Sequence, residues 1–386
     1  MRKLILLGGL IVLLSGCGNT TTIVNGNNND NTNKTTPDYP VYNNINKNEP
    51  EVIDGDDSVI ANNVNVQLMP LGFYTNDDNQ KALAYLKYED KNWVLYNYIN
   101  GVSEKTEEKI SVFQKDGSLK YLSNAVISPD GKKILYSYTN SFTFLNLVNF
   151  QTNRETNIMS GSDAHFGLKT TYFFNSESDE VIYSVIFADE YMQYKEIVGY
   201  NIYTKDTRSI IRFEESCEGD ADDWECGGDD VDSIDLIPLG YASFEGQESV
   251  FSLVTKDGKS LAYKDGKEFV RYNVPVELNG AEINPQISNG SKYYFYNEDN
   301  KYIHKSSLGA ILQGDDESGP KQYDVLLAEP EASGPHGGIL SNFKMVGEDD
   351  VLYVDSSGDE RCQTSKLYYI NSEDKILIDQ FNYCNE

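Results

Sequence analysis

Three observations predict an all-β fold, a β-propeller of six four-stranded blades with seven as the alternative count. Runs rich in Tyr, Phe, Val and Ile recur along the chain, and its 386 residues hold 28 Tyr and 16 Phe, good formers of half-buried strands. Acidic or Gly-bearing turns separate these runs at intervals that suit four-stranded repeats. Nowhere does the apolar pattern sustain an amphipathic helix longer than two turns.

The chain opens on an export signal at residues 1–16, with Arg2 and Lys3 as its charged end and Leu4 to Leu14 as its apolar run. That run is too short to span a bilayer comfortably. It closes on Leu14-Ser15-Gly16-Cys17, which resembles the lipobox of bacterial lipoproteins. The resemblance implies cleavage before Cys17, acylation of Cys17 (palmitate among the acyl groups) and a membrane partner reached through the lipid. Several acyl chains hold a protein stably where one holds it marginally. Gly18 follows where an inner-membrane retention signal often has Asp, which favours an outer-membrane address in a two-membrane envelope, with a periplasmic or surface-facing body.

Residues 17–50 are the lipidated cysteine and a tether of Asn and Thr with Lys, Asp and Pro. So few apolar side chains cannot offset ordering entropy. A flexible coil of that length reaches roughly 30 Å end to end, enough to lift the body clear of lipid headgroups.

Residues 51–386 are expected to form one propeller body. Its first unit runs from Leu68 to Tyr74, through Asn76-Asp77-Asp78-Asn79, into Ala82 to Tyr88 and Trp93 to Tyr98. The second joins Ala125-Val126-Ile127 to Ile134-Leu135-Tyr136-Ser137 through Ser128-Pro129-Asp130-Gly131-Lys132-Lys133, then continues in Phe142 to Leu147. Pro129 presets φ for a turn and Gly131 supplies a permissive backbone. Thr171 to Phe174, Val181 to Phe187 and Ile197 to Tyr203 make the third; Tyr241 to Phe244, Val250 to Val254 and Leu261 to Tyr263 make the fourth. The fifth centres on Ser288 to Ser291 and Tyr293 to Tyr296, and the sixth on Gly347 to Asp350, Val351 to Val354 and Leu367 to Ile370. Two insertions, Glu214 to Asp235 and Ser306 to Gly338, lengthen the repeat where they fall. Trp93, inside a strand, is expected in the core.

The Ser128 to Lys132 turn resembles the repeat signature of TolB-like β-propellers, in which Ser-Pro-Asp-Gly-Lys links the first two strands of a blade. The full motif stands once here; the other units carry Asn, Glu or Ser variants. The resemblance implies the propeller fold and assigns no partner.

With Cys17 acylated, four cysteines remain, and export favours pairing them. Proximity in sequence pairs Cys217 with Cys226 and Cys362 with Cys384. The formal net charge of −29 disfavours nucleic acid and anionic lipid surfaces, which both call for clustered Lys and Arg. Acid is densest around Asp220, Asp222, Asp223, Asp229 and Asp230, a candidate calcium site by its oxygen donors though not by EF-hand spacing. Calcium is the one cofactor the sequence raises. Trp224 in the same insertion and His336 in Gly334-Pro335-His336-Gly337-Gly338 are the candidate contact residues.

No catalytic residues are assigned. The three histidines, His165, His304 and His336, stand far apart, and no Gly-x-Ser-x-Gly elbow is present. The sequence therefore points to a monomeric, non-catalytic binding or scaffold module for a protein or glycan partner. The alternative is a calcium-dependent hydrolase at the propeller channel.

Overall fold

The structure is a computed structural model. It describes residues 67–384 apart from 115–116, 141, 161–165, 189–191, 219–224, 229–233, 245–246, 257–258, 271–285, 288–292, 299–301, 308–324, 329–338, 346–349, 359–361 and 372–373. The leader, Cys17 and the tether lie outside the described residues.

Those residues build six antiparallel sheets, each made from strands consecutive in the chain. The first sheet is β1 (Leu68–Thr75), β2 (Lys81–Glu89), β3 (Asn92–Ile99) and β4 (Val102–Ser111); the second is β5 (Tyr121–Ile127), β6 (Lys133–Asn140), β7 (Phe142–Asn149) and β8 (Arg154–Ser160). The third holds β9 (Phe166–Phe174), β10 (Glu180–Ala188), β11 (Met192–Asn201), β12 (Thr207–Glu218) and β13 (Glu225–Gly228). The fourth holds β14 (Asp235–Phe244), β15 (Gln247–Lys256), β16 (Lys259–Lys264) and β17 (Lys267–Val270). The fifth holds β18 (Gln286–Ile287), β19 (Tyr293–Glu298), β20 (Tyr302–Ser307) and β21 (Val325–Ala328). The sixth holds β22 (Ile339–Met345), β23 (Val351–Gly358), β24 (Cys362–Ile370) and β25 (Lys375–Cys384).

The first strands of the sheets form a cycle: β1 packs on β5, β5 on β9, β9 on β14, β14 on β18, β18 on β22, and β22 on β1. That is a β-propeller with the first strand of each sheet innermost. One expectation needs correction. The third sheet has five strands, because the insertion after Glu214 begins by extending β12 and then folds β13 back onto it. The insertion after Ser306 carries β21, which pairs with β20 and completes the fifth sheet.

Apolar side chains fill the gaps between neighbouring sheets. Leu86, Trp93 and Ile110 of the first sheet share a cluster with Ile134, Tyr136 and Tyr138 of the second, and Trp93 is 1% exposed. A tyrosine from the second strand of four sheets reaches into the preceding sheet: Tyr85, Tyr136, Tyr183 and Tyr353. The tyrosine-rich strands are therefore rich for packing.

The Ser128 to Lys133 turn shows why each residue of its motif is needed. Ser128 Oγ accepts from Lys133 N at 3.0 Å, Asp130 Oδ1 accepts from Lys132 N at 3.0 Å, and Gly131 adopts φ 69°. Asn79 and Ser178 take the same left-handed conformation in the corresponding turns, at φ 57° and 61°. The turns also hold one another: Thr75 N donates to Pro129 O at 3.0 Å, and Asp130 N donates to Ser178 Oγ at 3.1 Å.

Among the described residues, no strand is exchanged between the first and sixth sheets, and contacts made by side chains hold that seam. Leu68, Leu83 and Tyr85 pack against Leu352, Val354, Leu367 and Ile378. Asp379 Oδ2 accepts from Tyr85 Oη and from Lys87 Nζ, both at 2.9 Å.

Candidate functional site at the centre of the ring

The innermost strands share an irregularity. Register shifts fall in β1 between Pro70 and Gly72, in β5 between Leu122 and Asn124, in β14 between Pro238 and Gly240, and in β22 between Ser341 and Lys344. Each inserts extra backbone, bends the strand and re-aims its side chains. Pro-Leu-Gly occupies two of these sites, where the glycines adopt φ 125° and 143° and the prolines need donate no ladder hydrogen bond. Leu-Ser-Asn occupies the other two, at Leu122-Ser123-Asn124 and Leu340-Ser341-Asn342.

Asn124, at the end of its bulge, joins three sheets. Its main-chain oxygen accepts from Tyr172 Oη of β9 at 2.6 Å, and its Oδ1 accepts from Lys344 Nζ of β22. Tyr172 Oη also accepts from Ser137 N at 2.7 Å and from Ser137 Oγ at 3.0 Å, and Ser123 Oγ and Ser137 Oγ are 2.8 Å apart. Lys344 is 6% exposed, and burial pushes its amine down to about 7. Burial likewise raises the Tyr172 phenol and keeps it a neutral donor.

A second polar cluster lies in the second sheet. Glu155 Oε1 accepts from Lys120 Nζ at 3.1 Å, Tyr136 Oη at 2.5 Å and Asn146 Nδ2 at 2.5 Å. Burial alone would raise the Glu155 carboxyl, but the Lys120 charge and these three donors together hold it below the ordinary range. In the third sheet, Glu196 is 5% exposed with Arg212 Nη1 no closer than 4.0 Å, and burial raises its carboxyl. Arg212 also stacks over Tyr194 and pairs with Glu214 at 2.9 Å.

Asp220, Asp222, Asp223 and Trp224, Asp229 and Asp230, and His336 lie outside the described residues. Among the described residues, no three His, Cys, Asp or Glu are grouped to hold a metal ion. The four remaining cysteines are brought opposite one another by register: Cys217 faces Cys226 between β12 and β13, and Cys362 faces Cys384 between β24 and β25.

Sequence reading missed the centre. The repeated Pro-Leu-Gly and Leu-Ser-Asn tripeptides mark the bulges in plain text, but nothing local signals that Lys344 meets Asn124 across 220 positions.

No family model and no curated protein matches the chain. Solved structures that resemble it include a prolyl endopeptidase at 11% identity and TM-score 0.41, covering 86% of this chain and 53% of that one. The Cps50 (Swd1) β-propeller domain of Myceliophteria thermophila resembles it at 10% identity and TM-score 0.41, covering 81% of this chain and 86% of that one. An oligogalacturonate lyase in complex with manganese does so at 10% identity and TM-score 0.41, covering 80% and 91%. The chain spans about half the length of the prolyl endopeptidase.

Proposed function

We propose that this protein is a lipid-anchored β-propeller of the bacterial envelope that binds a protein or glycan partner through its loops without catalysing a reaction. The observation that carries this reading is the interlocked centre. Lys344, Asn124 and Tyr172 tie the sixth, second and third sheets together with donors and acceptors used on one another. A centre engaged in this way serves rigidity, and a rigid ring suits recognition on variable loops. The TolB-like turn at Ser128 to Lys132, the leader ending at Cys17 and the Asn/Thr-rich tether all accord with a body held away from a membrane. In that oxidising setting the facing pairs Cys217 with Cys226 and Cys362 with Cys384 are expected to be disulfides.

The experiment immobilises the body, with its cysteines oxidised, and measures binding of purified peptidoglycan and of solubilised outer-membrane proteins. Saturable binding lost when 214–235 or 306–338 is shortened supports the proposal. Calcium-dependent hydrolysis of an envelope polymer, abolished by Asp220→Asn, Asp222→Asn and Asp223→Asn together, would replace it with the hydrolase reading.

A further inference from the structure

Lys344 stands out against its own repeat. The inner-strand residues that pair with Leu135, Ile182 and Leu352 are Val126, Phe173 and Lys344, and those three partners each pack toward the following sheet. Two of the three equivalent positions are therefore apolar, as an inter-sheet core requires. The lysine is not demanded by strand pattern or by solubility, since it is almost fully buried. Burying an unpaired ammonium costs several kcal/mol, so such a group is held neutral instead.

Among the described residues, its polar partner is the Asn124 carboxamide. The carbonyl carbon lies one C=O bond, about 1.23 Å, beyond the oxygen that the amine touches. A buried amine disposed toward its neutral form is thus set beside the acyl carbon of a partly buried asparagine, between two elements whose positions the ring fixes. Such placement raises effective concentration far above that of free reactants. Tyr172 helps hold the acceptor still by donating to the Asn124 main-chain oxygen at 2.6 Å.

We propose that Lys344 and Asn124 become joined by an intramolecular isopeptide bond. The Nζ lone pair attacks Asn124 Cγ, and a bond forms between them. The Cγ–Nδ2 bond breaks, a proton passes from the attacking nitrogen to the departing one, and ammonia leaves. No oxidant, reductant or cofactor is consumed. The cross-link ties the second sheet to the sixth, on either side of the first, and so spans the seam where the first sheet of the chain meets the last. It stands independently of the proposed function.

Mass spectrometry of the full wild-type chain, before and after incubation at mildly alkaline pH, tests this directly. The expected result is loss of one ammonia, with a branched tryptic peptide joining the Asn124 segment to the Lys344 segment and no cleavage after Lys344. Asn124→Ala and Lys344→Arg should each abolish the branched peptide and the ammonia loss. Linear peptides at unshifted mass throughout the incubation would overturn the proposal, as would ammonia loss that persists in Asn124→Ala. Because the decisive reading is made on the wild-type chain, a variant that fails to fold leaves the test intact.

Discussion

Lys87 Nζ lies 2.9 Å from Asp379 Oδ2, so the second strand of the first sheet is bound to the last strand of the sixth. Both side chains are mostly buried, at 19% and 18% exposure, and Tyr85 donates to the same carboxylate. Asp379→Ala would leave a cation and a hydroxyl without this acceptor at the seam between the first and last sheets. A loss of about 2 to 3 kcal/mol in urea unfolding is expected. Lys132 and Asp77 serve as the control, because Asp77 is 90% exposed and Asp77→Asn should change stability by less than about 1 kcal/mol.

Gly131 is fixed by two constraints. Its φ of 69° disfavours any side chain, and an added Cβ would lie 2.1 Å from Cδ2 of the Tyr74 ring in the neighbouring sheet. Gly131→Ala should therefore cost about 2 to 4 kcal/mol by thermal or urea unfolding, against about 1 kcal/mol for left-handed strain alone. The double variant Gly131→Ala with Tyr74→Ala should recover the part due to the ring.

Glu155 gives the protein an acid-sensitive element. Its folded-state carboxyl is held below its unfolded value, so the unfolded chain binds the proton more readily. The contribution is complete above the ordinary glutamate range and is lost as pH falls through the folded-state value. Glu155→Gln should flatten the acid limb of the stability profile while leaving its shape above neutrality unchanged.

The facing cysteines give a redox prediction. Oxidised protein should yield Cys217 to Cys226 and Cys362 to Cys384 peptides on mapping, with no crossed pairs. Reduction should lower stability by roughly 3 kcal/mol for each bridge on the loop-entropy account.

The local turns and strands were legible because the chemistry that specifies them is local. Pro129 and Gly131 announce a turn, alternating Ile134 to Tyr138 announces a strand, and Trp93 within a strand announces core. β13 and β21 were not legible because each is only four residues long. What defines them is pairing with a strand already in place, as Glu225–Gly228 pairs with the end of β12. The centre was harder still. Lys344 within Ile339–Met345 reads as the polar face of a strand, and only closure of the ring sets its amine against Asn124.

The most direct test of the account is acylation at Cys17. The full chain is expressed in a lipoprotein-processing bacterium fed labelled palmitate, beside Cys17→Ser, and membrane and soluble fractions are compared. The account predicts labelled wild-type protein in the membrane fraction and unlabelled Cys17→Ser protein released from it. Unlabelled wild-type protein in the soluble fraction would contradict a lipid-anchored envelope module.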